Sequence, residues 1–277
     1  MNVVLLAAGL GSRLGTLTRD LPKALISVGG KPLLLHALSF AARLRPARII
    51  VVGGFCFAQV KDTLAAFRAT DMETLGGFPC LPATVRRQQS WRAPHATDQS
   101  AAALPIELVE NTQFRDGNLV SLLTAKPLIS EGFLVMNVDH IYRPAIADVV
   151  APEVSRVTAF IDTDRTLGND DMKVERGDGG NIVAIAKTLT KFDCGYVGMT
   201  RVPTALLGRY FEEADRALAE EGRAIHVERI LGRLAKTDVK TDLAPTCRDI
   251  SGHGWLEVDT PDERTAAEAA LAKAGWA

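Results

Sequence analysis

Only four cysteines occur in the 277 residues, and no two of them form a Cys-x-x-Cys pair. Cys56, Cys80, Cys194 and Cys247 therefore suit reduced thiols and a cytoplasmic location better than a disulfide framework or a zinc site. No uninterrupted apolar stretch approaches the ~18 residues of a membrane span, so membrane insertion is not expected. The apolar run at the N-terminus has no basic leader and is broken by Gly9, which does not fit a signal peptide. Charge of neither sign is in excess: 32 Lys and Arg against 33 Asp and Glu leave a formal net charge of −1. A dedicated nucleic-acid surface is not expected from that balance. Internal repeats and low-complexity tracts are missing. So are a G-x-S-x-G elbow and an evident Cys/His pairing, and no side-chain nucleophile is expected.

What remains is ordinary for a globular α/β protein, with 47% apolar and 23% charged residues and length for one large domain or two small ones. The informative stretch is the beginning, Val3-Val4-Leu5-Leu6-Ala7-Ala8-Gly9-Leu10-Gly11-Ser12-Arg13-Leu14, followed by Leu21-Pro22-Lys23-Ala24-Leu25. A short Val- and Leu-rich run ended by glycines reads as a buried strand. The loop behind it has the glycines to let a ligand approach and the backbone N–H groups to form an anion-binding concavity. Arg13, a planar fork, and Lys23, a point charge, suit a polyphosphate. Two commoner phosphate loops fail: Leu14 stands where a Rossmann fingerprint needs Gly or Ala, and neither glycine is followed by the Gly-Lys-Ser/Thr of a Walker A loop. The spacing therefore points to a different nucleoside triphosphate site, against the plainer reading of a tight turn with surface Arg and Lys.

Along the chain, a helix is expected over 32–44, a strand over 48–52 and an amphipathic helix over 57–67, a βαβα rhythm that implies a parallel sheet. From 70 to 105 the rhythm breaks into Gly, Pro and polar residues. That segment reads as a functional lid or a disordered excursion, with a short strand at 84–86. Strands follow at 106–109 and 132–138, with a helix over 118–126 between them. Asp139 then falls at the C-terminal end of a central strand, on the edge where ligands of open α/β sheets gather. Further strands are expected at 157–161, 172–175, 182–186 and 194–200, the middle two forming a hairpin, with helices around 204–218 and 226–234. A last strand is read over 255–259, running into a helix capped by Thr260, Pro261 and Glu263. One continuous sheet and a single domain are expected. Its nucleotide-binding half covers about 1–140 and its acceptor-binding half about 141–277.

The ordered elements Leu-Ala-Ala-Gly-x-Gly-x-Arg-Leu, Pro-Lys-Ala-Leu and Val28-Gly29-Gly30-Lys31-Pro32-Leu33-Leu34 resemble the signature of the nucleotidyltransferase superfamily. Its members join a nucleoside triphosphate to a phosphorylated sugar, alditol or alcohol and release pyrophosphate. The resemblance implies a Rossmann-like, GT-A-type α/β fold with a mixed, mostly parallel central sheet flanked by helices. Within the superfamily, Asn137-Val138-Asp139-His140-Ile141-Tyr142, Ala186-Lys187, Lys191-Phe192-Asp193-Cys194-Gly195 and Leu256-Glu257-Val258-Asp259-Thr260 look most like inositol-1-phosphate cytidylyltransferases. Some such relatives carry a C-terminal membrane domain that uses the product. For this chain, which ends at Ala277, the expectation is that the product passes to another protein.

What the resemblance implies can be placed residue by residue. Leu6, Ala7, Ala8, Gly9, Gly11, Ser12, Arg13 and Lys23 would hold the nucleotide. Asn118 and Ser121 match an Asn-x-x-Ser element near the base in cytidylyltransferases, the alternative for Asn118 being a helix cap. Asp139 and Asp259 match the acids that bind the metal, with Glu257 accessory, and Asp259 competes with a capping role. Lys187 matches a lysine on the acceptor phosphate, against a plain surface lysine; His140 is read either as an acceptor contact or as a structural histidine. The chemistry agrees: Mg2+ held by one or two carboxylates and phosphate oxygens would bring two anions together, while Arg13 and Lys23 stabilise the departing pyrophosphate, making Arg13, Lys23 and Asp139 the catalytic set. Small-molecule substrates are the expected partners, with CTP and inositol 1-phosphate preferred over UTP, GTP or dTTP with a sugar 1-phosphate. A non-catalytic nucleotide-sugar-binding module is the rival of another class. The oligomeric state is left open, a homodimer included.

Overall fold

The computed structural model describes residues 1–70, 84–86, 104–238, 243–273 and 276. The opening run forms β1 (Asn2–Ala7), buried at every position. After the glycine turn come a small ribbon of β2 (Ser27–Val28) and β3 (Lys31–Pro32), then α1 (Leu33–Arg43), β4 (Arg48–Gly53), α2 (Phe57–Thr70) and β5 (Thr84–Arg86). They are followed by β6 (Ile106–Glu110), α3 (Asn118–Ala125), β7 (Phe133–Asn137), β8 (His140–Tyr142), α4 (Ile146–Val150) and β9 (Thr158–Asp162). The rest comprises β10 (Lys173–Arg176), β11 (Ile182–Ala186), β12 (Cys194–Val202), α5 (Leu207–Glu221), α6 (Glu228–Thr237), β13 (Thr246–Asp249), β14 (Trp255–Glu257) and α7 (Pro261–Leu271).

The main sheet runs in the order β11-β10-β12-β7-β1-β4-β6-β5, with β9 pairing both β12 and β13. Strands β7, β1, β4, β6 and β5 are mutually parallel, and β12 enters antiparallel against β7 and carries β9 and β10 with it. The sheet is thus mixed, and parallel over β7, β1, β4, β6 and β5, and both halves of the chain contribute strands to it. Because side chains alternate across a strand, Val3, Leu5 and Ala7 of β1 meet α1 and α2 on one face. Val4 and Leu6 meet α3, α5 and α6 on the other. Burial on two faces is why the run shows no polar alternation.

A third apolar cluster sits off the sheet. Leu14 of the glycine turn packs with Ile26, Val28 and Leu33, with Ile141 of β8, with Val258 just before α7 and with Ala267 within it. Fully burying each such side chain contributes roughly 1.5–3 kcal/mol. This cluster joins three segments distant in sequence to one another, and each of them carries or adjoins a site residue.

One expectation needs correction, and one strand was not expected. The stretch over 255–259 is not the last strand of the main sheet. It ends at Glu257 and pairs antiparallel with β8 in a separate two-stranded ribbon, Trp255 against Tyr142 and Glu257 against His140. The physical reason is the chain reversal at Asp139, which carries His140 off the sheet and into a stack with Trp255 (ring centroids 5.2 Å apart). Strand β13, parallel to β9, had no reading at all. The expected strand at 84–86 is present beside β6; the lid or disordered excursion expected over 70–105 otherwise lies almost wholly outside the described residues.

The start of α3 is clamped to the segment before α6. Gly117 donates its N–H to the Arg223 carbonyl at 2.7 Å, and Asn118 Oδ1 accepts the N–H of Val227 at 2.8 Å. A Cβ at position 117 would overlap the Ile225 carbonyl oxygen. Gly117→Ala is therefore expected to cost about 1–3 kcal/mol, as overpacking does. Denaturant unfolding checks this, and an unchanged midpoint would show that the approach of 223–227 to α3 is not tight.

Candidate functional site

The site begins with a register. β1 and β7 are adjacent and parallel, with Leu6 opposite Asn137, so the glycine turn and Asp139 leave the sheet at the same edge. Gly11 adopts φ +68°, and a Cβ there would come within 2.8 Å of the Lys23 Cβ. The turn can therefore lie directly on the lysine stem, and Thr18 Oγ1 holds it by donating to the Gly11 carbonyl at 2.8 Å. Pro22 ends the connecting loop, and a single helical turn at Lys23–Leu25 carries Lys23 inward until it is 8% exposed.

The Lys23 ammonium lies between two acids. It donates to Asp139 Oδ2 at 2.6 Å and to Asp259 Oδ1, residues 116 and 236 positions away in the chain. Arg13 pairs with the other oxygen of Asp259 and with Asp170. Burial pushes the Asp139 carboxyl up, but the charges and hydrogen bonds of Lys23 and His140 outweigh it and hold the group well below the usual carboxylate range. Asp259 is free for this role because Thr260 and Glu263 form the capping box of α7 by themselves.

His140 is 4% exposed and stands between two carboxylates, with Nδ1 2.6 Å from Asp139 and Nε2 3.9 Å from Glu257. Burial lowers its pKa, but Asp139 and then Glu257 raise it further, for a net upward shift. Its ring is stacked with both Tyr142 and Trp255, and the Arg165 guanidinium lies over the Trp255 indole at 4.6 Å from the centroid. Glu257 is held apart from the Asp139–Asp259 pair by this ring and is ion-paired to Arg165 at 3.2 Å.

Two cavities meet here. The larger, of about 390 Å³, is lined by Leu6, Ala7, Ala8, Gly9, Gly11, Ser12, Arg13, Lys23, Asn118, Ser121, Asp139 and Asp259, among others. The smaller, of about 170 Å³, takes His140, Lys187 and Glu257 and shares Arg13, Asn118, Asn137, Asp139, His226 and Asp259 with the first. Every residue singled out from the sequence thus lines one or both. Lys187 bonds Asp170 at 2.7 Å, so Asp170 joins Lys187 to Arg13 across the smaller cavity. Asn118 is not the cap of α3, since Gly117 occupies that position. Ser121 accepts a hydrogen bond from the buried Asn111 amide at 3.0 Å, fixing both beside the larger cavity.

Sequence reading missed Phe114, Arg115, Asp116 and His226 in the larger cavity, and Asp170, Tyr196 and Glu228 in the smaller. The acidic Asn169-Asp170-Asp171 stretch is the one local signal among them. His226 and Glu228 come in at the start of a helix whose place beside α3 depends on the contacts of 223–227, which no sequence period encodes.

No group of three or more His, Cys, Asp or Glu side chains among the described residues is arranged as a metal cage. Asp139 and Asp259, sharing one ammonium, fit instead the donor set of a hard divalent cation that takes one or two protein carboxylates and completes its shell with phosphate oxygens and water. Among those residues, too, no helix is long and apolar enough to cross a membrane, and Cys56, Cys194 and Cys247 are free thiols.

Comparison with known proteins places this geometry. A family model described as the MobA-like NTP transferase domain matches residues 3–237. The bifunctional IPC transferase and DIPP synthase of Aquifex aeolicus is 26% identical over 98% of the chain, which spans 52% of that protein's length. In fold, the chain superposes on the inositol-1-phosphate CTP transferase of T. maritima with TM-score 0.71 and 16% identity, covering 100% of this chain and 97% of the other. The CTP:phosphocholine cytidylyltransferase of Streptococcus pneumoniae superposes with TM-score 0.66 and 20% identity over 98% of each. The nucleotidyltransferase resemblance and its mixed, mostly parallel sheet are therefore shown, and the chain belongs to the MobA-like NTP transferase family.

Proposed function

We propose that the chain transfers CMP from CTP to a phosphorylated polyol or alcohol, inositol 1-phosphate first, with release of pyrophosphate and with Mg2+ as cofactor. The observation that carries this reading is the Lys23 ammonium set between Asp139 and Asp259 where two cavities meet. The larger cavity is lined by a glycine turn with Arg13 and Lys23, suited to a triphosphate, and by Asn118 and Ser121, suited to a base. The smaller has Lys187 and polar walls, suited to a phosphorylated acceptor. Two of the solved structures on which the chain superposes are CTP-using enzymes by name, one of them named for inositol 1-phosphate. Two others are named as a glucose-1-phosphate thymidylyltransferase and a UDP-glucose pyrophosphorylase; the local matches around Asp139, Lys187 and Asp259 favour the first pair.

In this reading Lys187 draws the acceptor phosphate toward the larger cavity, exchanging Asp170 for the phosphate as its partner. An acceptor phosphate oxygen attacks the α-phosphorus, a new P–O bond forms, and the bond to the bridging oxygen breaks with its electron pair leaving on pyrophosphate. Lys23 and Arg13 oppose the charge that collects on the leaving group. Asp139 and Asp259 would hold Mg2+, which when bound supplies charge neutralisation and orientation of the phosphate oxygens. His140, pinned by its ring stack and by Glu257, fixes the Asp139 carboxylate in place. We take the chain as one nucleotidyltransferase domain, with the nucleotide held mainly by residues up to 140 and the acceptor mainly by those beyond.

Lys23→Ala and Asp139→Asn are each expected to lower turnover by roughly 100- to 1,000-fold while circular dichroism shows the fold retained. Near-normal pyrophosphate release from either variant would remove that residue from the mechanism. A panel of CTP, UTP, GTP and dTTP, each with Mg2+ and inositol 1-phosphate, is expected to release pyrophosphate preferentially with CTP. Preference for another triphosphate would refute the base assignment, and binding without turnover would favour a non-catalytic module. Chelation of divalent cations is expected to abolish pyrophosphate release, and readdition of Mg2+ to restore it; activity persisting in the chelator would sink the metal assignment.

A further inference from the structure

Among the described residues most buried acids are matched to cations, and the exceptions are Asp162 and Glu228. Asp162 accepts hydrogen bonds from Trp255 Nε1 at 2.7 Å and from the Asp164 N–H at 2.7 Å, and it lines neither cavity. Glu107 pairs with Arg48 at 2.9 Å, Glu213 with Arg233, Asp238 with Arg209, and Asp139 and Asp259 with Lys23. Glu228, 7% exposed at the first turn of α6, has the Asn137 amide and its own backbone N–H as its hydrogen-bond partners, and the leading influences on it include His226 but no lysine or arginine. Burial pushes its carboxyl above the usual range despite those bonds. A carboxylate placed out of water without a lysine or arginine beside it is costly unless further donors are brought to it. This one lines the smaller cavity.

The neighbours define which donors fit. Asn118 spends its Oδ1 on the Val227 N–H at 2.8 Å, so its amide NH2 is the group left for the cavities that it lines. Glu228 then offers acceptor oxygens beside amide donors, an arrangement that matches vicinal hydroxyl groups, each of which both donates and accepts. A quaternary ammonium would need aromatic faces around it. Tyr196 is the one aromatic six-membered ring in this lining, and its hydroxyl is tied to Thr200 at 2.9 Å. Lys187 lines the same cavity and is the cation available there to an acceptor phosphate.

Resting on the transfer reading above, we propose that Glu228 is the specificity-determining residue of the acceptor cavity, selecting phosphorylated polyhydroxy compounds over phosphorylated compounds that end in a quaternary ammonium. Its carboxylate accepts hydrogen bonds from hydroxyls of the acceptor, with the Asn118 amide completing the set.

The test is equilibrium binding of inositol 1-phosphate, phosphocholine and CTP, each measured on the wild-type chain, Glu228→Gln and Glu228→Asp. Wild type is expected to bind inositol 1-phosphate more tightly than phosphocholine. Glu228→Gln is expected to weaken inositol 1-phosphate by roughly 10- to 100-fold, as loss of hydrogen bonds to a charged acceptor does. CTP and phosphocholine should stay within about twofold of wild type, and Glu228→Asp should recover part of the lost affinity. Unchanged inositol 1-phosphate binding in Glu228→Gln overturns the proposal. So does equal weakening of all three ligands, which marks a structural role, and so does a wild type that binds phosphocholine as well as inositol 1-phosphate or binds neither. Pyrophosphate release is followed separately: if wild type releases none while the binding pattern holds, the transfer reading falls and the assignment of Glu228 stands.

Discussion

An ammonium buried between two carboxylates is an arrangement that the rest of the molecule must make possible. Withdrawing any of these charges from water is unfavourable, and the pairings offset that cost only while the geometry holds. Lys23, Asp139 and Asp259 come from three regions of the chain. Their meeting therefore requires the glycine turn, the end of β7 and the start of α7 to be fixed to one another. The third apolar cluster does this, with Leu14, Ile141 and Val258 carrying the three segments into a common core off the sheet. Gly11 leaves the room that the Lys23 stem needs. The cluster supplies the stabilisation, and the charges it brings together supply the chemistry.

The same triad organises the space around it. Both cavities share Asp139 and Asp259 in their walls, so a triphosphate in one and a phosphorylated acceptor in the other would meet over these acids. Asp170 already bridges Arg13 and Lys187 at this junction. A carboxylate between two cations marks a position that an anionic phosphate oxygen can take. His140 and Glu257 act one layer back. The histidine is locked in an aromatic stack and hydrogen-bonded to Asp139, which fixes the carboxylate's direction without exposing the ring.

Much of the scaffold was legible in the sequence because its signals are local. The run 3–7 is apolar without alternation because helices cover both its faces, and Gly9 ends it. Thr260, Pro261 and Glu263 announced the capping box that the structure shows. The ordered motif from Leu6 to Lys23, together with Asp139 and Asp259, sufficed to name the family and to pick residues that line the cavities. The ribbon of β8 with β14 was not legible. Three-residue strands have no resolvable period, and what decides their pairing is the reversal at Asp139 and the stacking of His140 on Trp255.

Spacing along the chain was enough to encode the strand-and-helix rhythm, the glycine turn and the charged groups that come to line the cavities. Which acids share Lys23, that Glu257 is set behind His140, and that His226 and Glu228 enter the site at all were settled by packing in three dimensions. Those outcomes depend on contacts between segments far apart in the chain, such as the clamp of 223–227 on the start of α3. Packing and desolvation select such contacts, and neither leaves a periodic trace in the order of residues.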